Sequence, residues 1–334
     1  MKTVKRIIAV TVFLAVFFTL FSLCDRILSR KETEGWWNVT AKIDGFYNSP
    51  KNEYDVMFFG SSNAYCSFNP LVIWEKTGVK SYVFATQQQP IWATYYYMKD
   101  AFKRQSPDLA VLDILMLSKN DEYYDDGVNY TFCDNMPFSI DKVRLAYASA
   151  PKGERLGLLL RFLKYHTRWS ELEKEDFEYR KGNMSDYSKG FYVLTSKTDK
   201  AVHTDLENVT DTLPITEKNR EYLEKIIKLC QDKNVRLMMV KAPSNSTEED
   251  KYYNEAEKIA KENGIEFVDY NMYYDEIRLD MREDFFDERH LNIYGAEKFS
   301  GYFVGNCDYF DGKVRNDSDW QEEYDRYVAE RDKK

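Results

Sequence analysis

The chain has 334 residues, 43% of them hydrophobic and 16% aromatic, with 14 Gly and 8 Pro; this suffices for an ordinary buried core and excludes a disordered, collagenous or low-complexity polymer. A formal charge of −9 argues against a nucleic-acid binder, which needs a basic face to displace counterions from phosphates. Five Cys without C-x-x-C spacing imply neither a zinc cluster nor a small disulfide scaffold, and one or two disulfides stay open.

Residues 7–23 are seventeen uncharged positions preceded by Lys2, Lys5 and Arg6. The run is at the short end for crossing a bilayer, and its basic tip predicts a cytosolic N-terminus. No small-residue cleavage site follows, and Leu23 stands where a lipoprotein signal at Cys24 needs a small residue, so an uncleaved signal anchor is expected over a cleaved leader. Residues 1–31 then form a cytosolic tip and transmembrane anchor, and 32–334 the extracytoplasmic domain of a single-pass cell-membrane protein. The first 31 residues hold six basic side chains and one acidic, which leaves the outer part at −14. An anionic substrate there needs a local basic cleft. Trp36 and Trp37 are expected near the membrane interface.

Beyond the anchor, 55–59, 81–85 and 109–117 are short apolar runs bounded by turn residues, the pattern of parallel strands buried on both faces. A helix over 91–103 separates the second from the third. The interval 118–214 breaks the rhythm, with helical patterns at 140–149 and 154–166 and a polar stretch after 171; a segment this long needs its own structure or task, and is expected to cap the sheet edge as a lid or docking lobe. Strands at 235–240 and 266–270 then alternate with helices at 217–230, 248–262 and 294–304. Strand and helix in alternation predict an α/β fold, a mostly parallel sheet with helices on both faces.

Chemistry in such folds sits just beyond the carboxyl ends of the strands. After the first strand comes Gly60-Ser61-Ser62-Asn63, a bend that presents hydroxyls where backbone N–H groups converge, as a nucleophilic Ser requires. Near the far end, Phe285-Phe286-Asp287-Glu288-Arg289-His290-Leu291-Asn292 precedes the last helix and holds one of only three His. A carboxylate three residues before the imidazole can accept from Nδ1 while Nε2 faces a substrate.

These residues together resemble the SGNH or GDSL hydrolase superfamily, whose members carry a nucleophilic Ser in a Gly-Asp-Ser turn and an Asp-x-x-His pair before the final helix. The resemblance covers about 55–117 and 215–305. It implies a three-layer α/β/α sandwich and a triad of Ser62, His290 and Asp287, with Ser61 replacing the family's Asp. The family's oxyanion Gly and Asn are missing: the second turn reads Ala85-Thr86-Gln87-Gln88-Gln89-Pro90, and the Asn nearest the third strand is Asn120. Oxyanion donation is therefore assigned to Ser62 and Gln88. With the N-terminal anchor, these departures resemble a divergent branch that includes the D-alanyl transfer protein of lipoteichoic acid synthesis and polysaccharide acetylation proteins working beside membrane-bound O-acyltransferases.

What that branch implies is acyl transfer, acetyl or D-alanyl, onto or off a cell-surface polymer by a serine esterase or O-acyltransferase, with no metal and no cofactor. The alternative is a non-catalytic accessory that binds a polymer or docks against a membrane-bound O-acyltransferase. His166 and Arg168, in an aromatic and basic helix end, and Lys241, at the carboxyl edge of the fourth strand, are candidate substrate contacts. His203 is given no role, Asn292 is expected to cap the last helix, and Cys66 to pack rather than react.

Overall fold

A computed structural model of the chain describes residues 2–35, 38–119, 122–202, 209–244, 250–314 and 320–333. Trp36, Trp37, Asn120 and His203 lie outside the described residues. The strands are β1 (Val56–Phe59), β2 (Ser81–Val83), β3 (Leu109–Asp113), β4 (Arg236–Lys241) and β5 (Glu266–Asp269). Helices before the long interval are α1 (Lys2–Leu28), α2 (Val39–Asn48), α3 (Ser62–Ser67), α4 (Pro70–Thr77) and α5 (Ile91–Ala101). Within it lie α6 (Asp126–Asn135), α7 (Ile140–Ser149), α8 (Arg155–Leu159), α9 (Arg161–Tyr165) and α10 (Lys174–Glu178), and after it α11 (Glu217–Lys233), α12 (Asp250–Glu262), α13 (Tyr274–Ile277), α14 (Ile293–Asn306) and α15 (Gln321–Arg331).

All five strands are parallel, in the order β2-β1-β3-β4-β5. The order reverses between β1 and β3, which opens a crevice at the strands' carboxyl ends. β1 is buried along its whole length because both faces are covered. Phe58 points to one side, stacking on Phe68 at 4.2 Å and meeting Phe303 of α14, while Phe59 points to the other, against Phe102 beyond α5; this is the two-residue alternation of a strand between two helical layers. The layers hold α4 and α14 on one side and α5 and α11 on the other. α11 is amphipathic in sequence and buries Tyr222, Leu223, Ile226, Ile227 and Cys230, one stripe at helical spacing.

Predicted boundaries shift where short-range chemistry intervenes. The 109–117 run ends as a strand at Asp113 and continues as a 3-10 turn, Leu115–Ser118, because the Asp113 carboxylate accepts from the Leu115 N–H and turns the chain. The helix expected over 154–166 divides into α8 and α9, followed by a second 3-10 turn, His166–Ser170. No cysteine is bonded to another.

The interval 118–214 has two tasks. In its middle it grips the end of α1: Arg161 pairs with Asp25 at 2.7 Å, the Phe162 N–H donates to Asp25, and the Phe162 ring lies 5.5 Å from Phe21. α1 is long and apolar enough to cross a membrane, and none of its residues is buried against the protein. Further on the interval closes the β2 edge, where the Val83 N–H donates to the Lys189 carbonyl. Asp186 organises this return, accepting from Lys42 of α2 at 3.0 Å, Tyr82 Oη of β2 at 3.1 Å, and the N–H groups of Ser188 and Gly190. Gly190 is obligatory: its φ is +88°, and a Cβ would stand 1.9 Å from the Val83 oxygen.

Lys42 and Asp186 are both buried, so removing one charge strands the other. Asp186→Ala is expected to cost about 3–5 kcal/mol in denaturant unfolding of the full chain, while the double change Lys42→Met with Asp186→Leu costs less than Asp186→Ala alone.

Candidate active site

Gly60 ends β1 at φ +149°, and a Cβ there would press on Asp113 at 2.9 Å and Ala64 at 3.1 Å. Only glycine lets the chain turn this close to β3. Ser62 follows as the first residue of α3, where the backbone N–H has no acceptor within the helix. Its side chain is 7% exposed. Ser61, by contrast, is fully buried, and its hydroxyl has no partner among the described residues; it has no path to a substrate.

From the other end of the chain, residues 285–291 fold into a tight loop closed by a Phe285 to Leu291 bridge and by the Phe286 N–H donating to the His290 carbonyl at 2.8 Å. Asn292 anchors this loop. Its Oδ1 accepts from Tyr294 and Gly295 at the start of α14, and its Nδ2 donates to the Glu283 carbonyl at 2.7 Å. Within the loop, Asp287 Oδ1 accepts from the N–H groups of Arg289 and His290, each at 2.8 Å.

The two ends meet. His290 Nε2 lies 2.9 Å from Ser62 Oγ, and His290 Nδ1 lies 2.9 Å from Asp287 Oδ2. Burial raises the Asp287 carboxyl, but the ring and the two N–H groups outweigh it and hold the group down at about 2. An ionised carboxylate only accepts, so Nδ1 carries the proton and Nε2 is left to accept from the Ser62 hydroxyl.

The meeting point opens into a cleft of about 450 Å³ whose walls include Tyr65, Gln87, Tyr192, Leu194 and Phe286. Tyr65 and Tyr192 stack at 4.0 Å. Cys66 lines the same cleft, yet burial pushes its thiol well above the usual range, so it carries no thiolate for attack. Among the described residues, no group of three or more His, Cys, Asp or Glu is placed to hold a metal ion.

Four expected contacts sit elsewhere. Gln88, the expected oxyanion donor, is exposed in a left-handed turn at φ +46°, and it is the neighbouring Gln87 that lines the cleft. Lys241 is fully buried behind the site, donating to the Ala242 carbonyl at 2.6 Å and to Ser244 at 2.5 Å. Arg168 clasps Asp176 with two bonds and donates to the Leu28 and Ser29 carbonyls, which places it at the end of α1. His166 is exposed beside it, its Nδ1 2.9 Å from the Leu163 carbonyl. A helix end read as a binding surface is thus a bracket for the N-terminal helix.

Sequence reasoning missed Asp113. Fully buried at the end of β3, it accepts from Asn63 Nδ2 at 3.0 Å and from the Ala242 N–H at 2.9 Å, which fastens the Ser62 turn to β3 and β4. Its signal was a single carboxylate inside the apolar run Leu109-Ala110-Val111-Leu112-Asp113-Ile114-Leu115. Tyr192 and Leu194 gave none, since they reach the cleft only through the fold of the interval.

A protein-family profile matches residues 165–308, a stretch with Asp287 and His290 but without Ser62, and less than half of the chain. No curated protein matches it. Among solved structures, an acetyl xylan esterase is similar with a TM-score of 0.38 at 13% identity, over 75% of this chain and 99% of its own. A gut microbial diltiazem-metabolizing enzyme is similar with a TM-score of 0.28 at 15% identity, over 77% of this chain and 47% of its own, so this chain spans about half the length of that protein.

The depressed Asp287 carboxyl favours the folded state wherever it is ionised in the fold and would be protonated out of it. That contribution is full above the ordinary carboxylate range and disappears as pH falls toward 2. The stability difference between the native chain and Asp287→Asn is therefore expected to be flat above about pH 5 and to shrink below pH 4, as read from denaturant midpoints across pH.

Proposed function

We propose that this chain is a membrane-anchored serine esterase or acyltransferase of SGNH type, acting on acyl esters of a cell-surface polymer. The observation that carries the reading is the unbroken chain Ser62 Oγ to His290 Nε2 at 2.9 Å and His290 Nδ1 to Asp287 at 2.9 Å. Ser62 attacks the acyl carbonyl as His290 takes its proton, and Asp287 fixes the ring's tautomer and stabilises the imidazolium. His290 returns the proton to the departing oxygen. The acyl group then passes from Ser62 to a polymer hydroxyl or to water, with His290 as base for the incoming group.

The oxyanion has two donors within this reading: the Ser62 N–H at the head of α3 and the Gln87 side chain, each worth roughly 3–4 kcal/mol in the transition state. A side-chain amide thus takes the place of the family's Gly and Asn. The aromatic wall of Tyr65 and Tyr192 excludes water from the acyl-enzyme, which favours transfer over hydrolysis. α1 anchors the domain in the cell membrane with the cleft outside, where a cell-surface polymer is within reach.

Fluorophosphonate labelling of the full-length chain in detergent, followed by peptide mapping, tests this. Ser62 is expected to label in the native chain and in Ser61→Ala, and not in Ser62→Ala or His290→Ala. Turnover of an acetyl ester is expected to fall by about 10⁴-fold or more in Ser62→Ala. Failure of a folded chain to label at Ser62 would overturn the reading and leave the non-catalytic accessory role.

A further inference from the structure

Where α1 leaves the apolar run, the protein builds a small cavity of about 90 Å³ walled by five cations, Arg26, Arg30, Lys31, Arg161 and Lys181. Two aspartates also reach it: Asp44 accepts from the Gly182 and Met184 N–H groups at 2.6 and 3.2 Å, and Asp134 Oδ2 accepts from Tyr165 Oη at 2.7 Å while its Oδ1 is buried with no partner among the described residues. Of the cations, Arg161 is neutralised by Asp25 and Lys31 by Asp176. Arg26 and Lys181 form no ion pair among the described residues, and Arg30 reaches Glu32 only at 3.8 Å. Burial, with Lys142 and Arg161 nearby, holds the Lys181 ammonium down at about 8, against the opposing pull of Asp44 and Asp100.

The cavity's height is fixed by the helix. Residues 7–23 span about 25 Å along the axis, close to the hydrocarbon thickness of a bilayer. Arg26 follows about one turn later, at the depth of lipid phosphates. The elements that grip α1 carry exposed apolar side chains at the same end: Leu163 of α9, Trp169 of the 3-10 turn, 72% exposed, and Phe177 of α10. An exposed Trp beside cations at the end of a spanning helix suits the interface between headgroups and water. The cavity, about 90 Å³, has room for a group of phosphate size.

We infer that this cavity binds the phosphate headgroup of an anionic membrane lipid, which seats the outer domain on the bilayer in one orientation. The inference rests on reading α1 as membrane-spanning and is independent of the triad. The lipid phosphate supplies the direct ion pair that Arg26 and Lys181 do not form within the described residues, while Trp169 and Phe177 dip among the headgroups around it. An outer domain with a large net negative charge would otherwise be repelled by anionic lipid, so the cation cluster is where attraction is concentrated.

The test is native mass spectrometry of the full-length chain released from neutral detergent, with phosphatidylglycerol or phosphatidylcholine added and inorganic phosphate as competitor. Phosphatidylglycerol adducts are expected to dominate and to weaken about thirtyfold in the double variant Arg26→Gln with Lys181→Gln, as for two basic residues at an anionic surface. The control Lys152→Gln with Lys174→Gln, outside the cavity, is expected to retain them. Equal binding of the two lipids, or retention in the Arg26 and Lys181 variant, overturns the inference. Displacement of lipid by millimolar inorganic phosphate also overturns the lipid assignment, in favour of a soluble phosphate. Thermal unfolding of the double variant separates loss of fold from loss of binding. Carbonate extraction of membranes reports the anchor by itself: a chain that stays in the pellet but shows no lipid preference keeps the anchor and loses the site.

Discussion

Asp113 sits where three strands and the Ser62 turn converge, and the geometry of the cleft depends on it. Its carboxylate is fully buried at the end of β3, and burial raises its protonation range. It is offset by the nearby positive charge of Lys241 and by donors from three directions: Asn63 beside Ser62, Leu115 in the following turn and Ala242 beyond β4. Each bond restrains a different segment, so losing the carboxylate would free the Ser62 turn, the 3-10 turn and the end of β4 together. Gly60 allows the approach to β3 that brings Asn63 within reach. Tolerance for a buried charge at this point buys rigidity at the site where a serine must be held against a histidine 228 residues away.

The opposite half of the site is fixed differently. Beside His290 short-range bonds do the positioning, with buried Asp284 accepting from the Asp280 N–H and from Lys298 of α14. A loop of seven residues closes on itself, Asn292 ties that loop to the start of α14, and Asp287 is held by backbone N–H groups before it meets the imidazole. The orientation of the ring is therefore largely a property of this loop and its cap. Where it points is a property of α14, which packs against α3 and α4.

The interval between β3 and α11 links the end of the apolar helix α1 to the cleft. Its middle brackets the end of α1 through Arg161, Phe162 and Arg168, and residues 186–190 lie along β2, where Asp186 joins α2, β2 and the return segment. Tyr192 and Leu194 follow directly and form part of the cleft wall. One continuous stretch thus touches both the end of the apolar helix and the site, and the pairs that hold it are mostly buried charge pairs, which are costly to break singly.

The sequence alone determined the features that depend on local pattern. Apolar runs at 55–59 and 109–117, the amphipathic stripe of α11 and the Asn cap of α14 each show in a few adjacent residues, because strand burial, helix periodicity and capping act over short range. The Gly60-Ser61-Ser62 turn and the Asp287, His290 spacing were legible for the same reason. Tertiary structure alone decided what those motifs meet. The choice of Gln87 over Gln88 at the cleft turned on a left-handed residue that no spacing announces. Lys241 went behind the sheet because Asp113 and Asp269 lie there, one on the neighbouring strand and one opposite it in register. Arg168 and His166 went to the end of α1 because Asp176 and the Leu28 carbonyl hold the arginine there. Long-range pairing of charges buried by packing is not encoded in neighbouring residues, and it fixed both the cleft's wall and the basic collar at the end of α1.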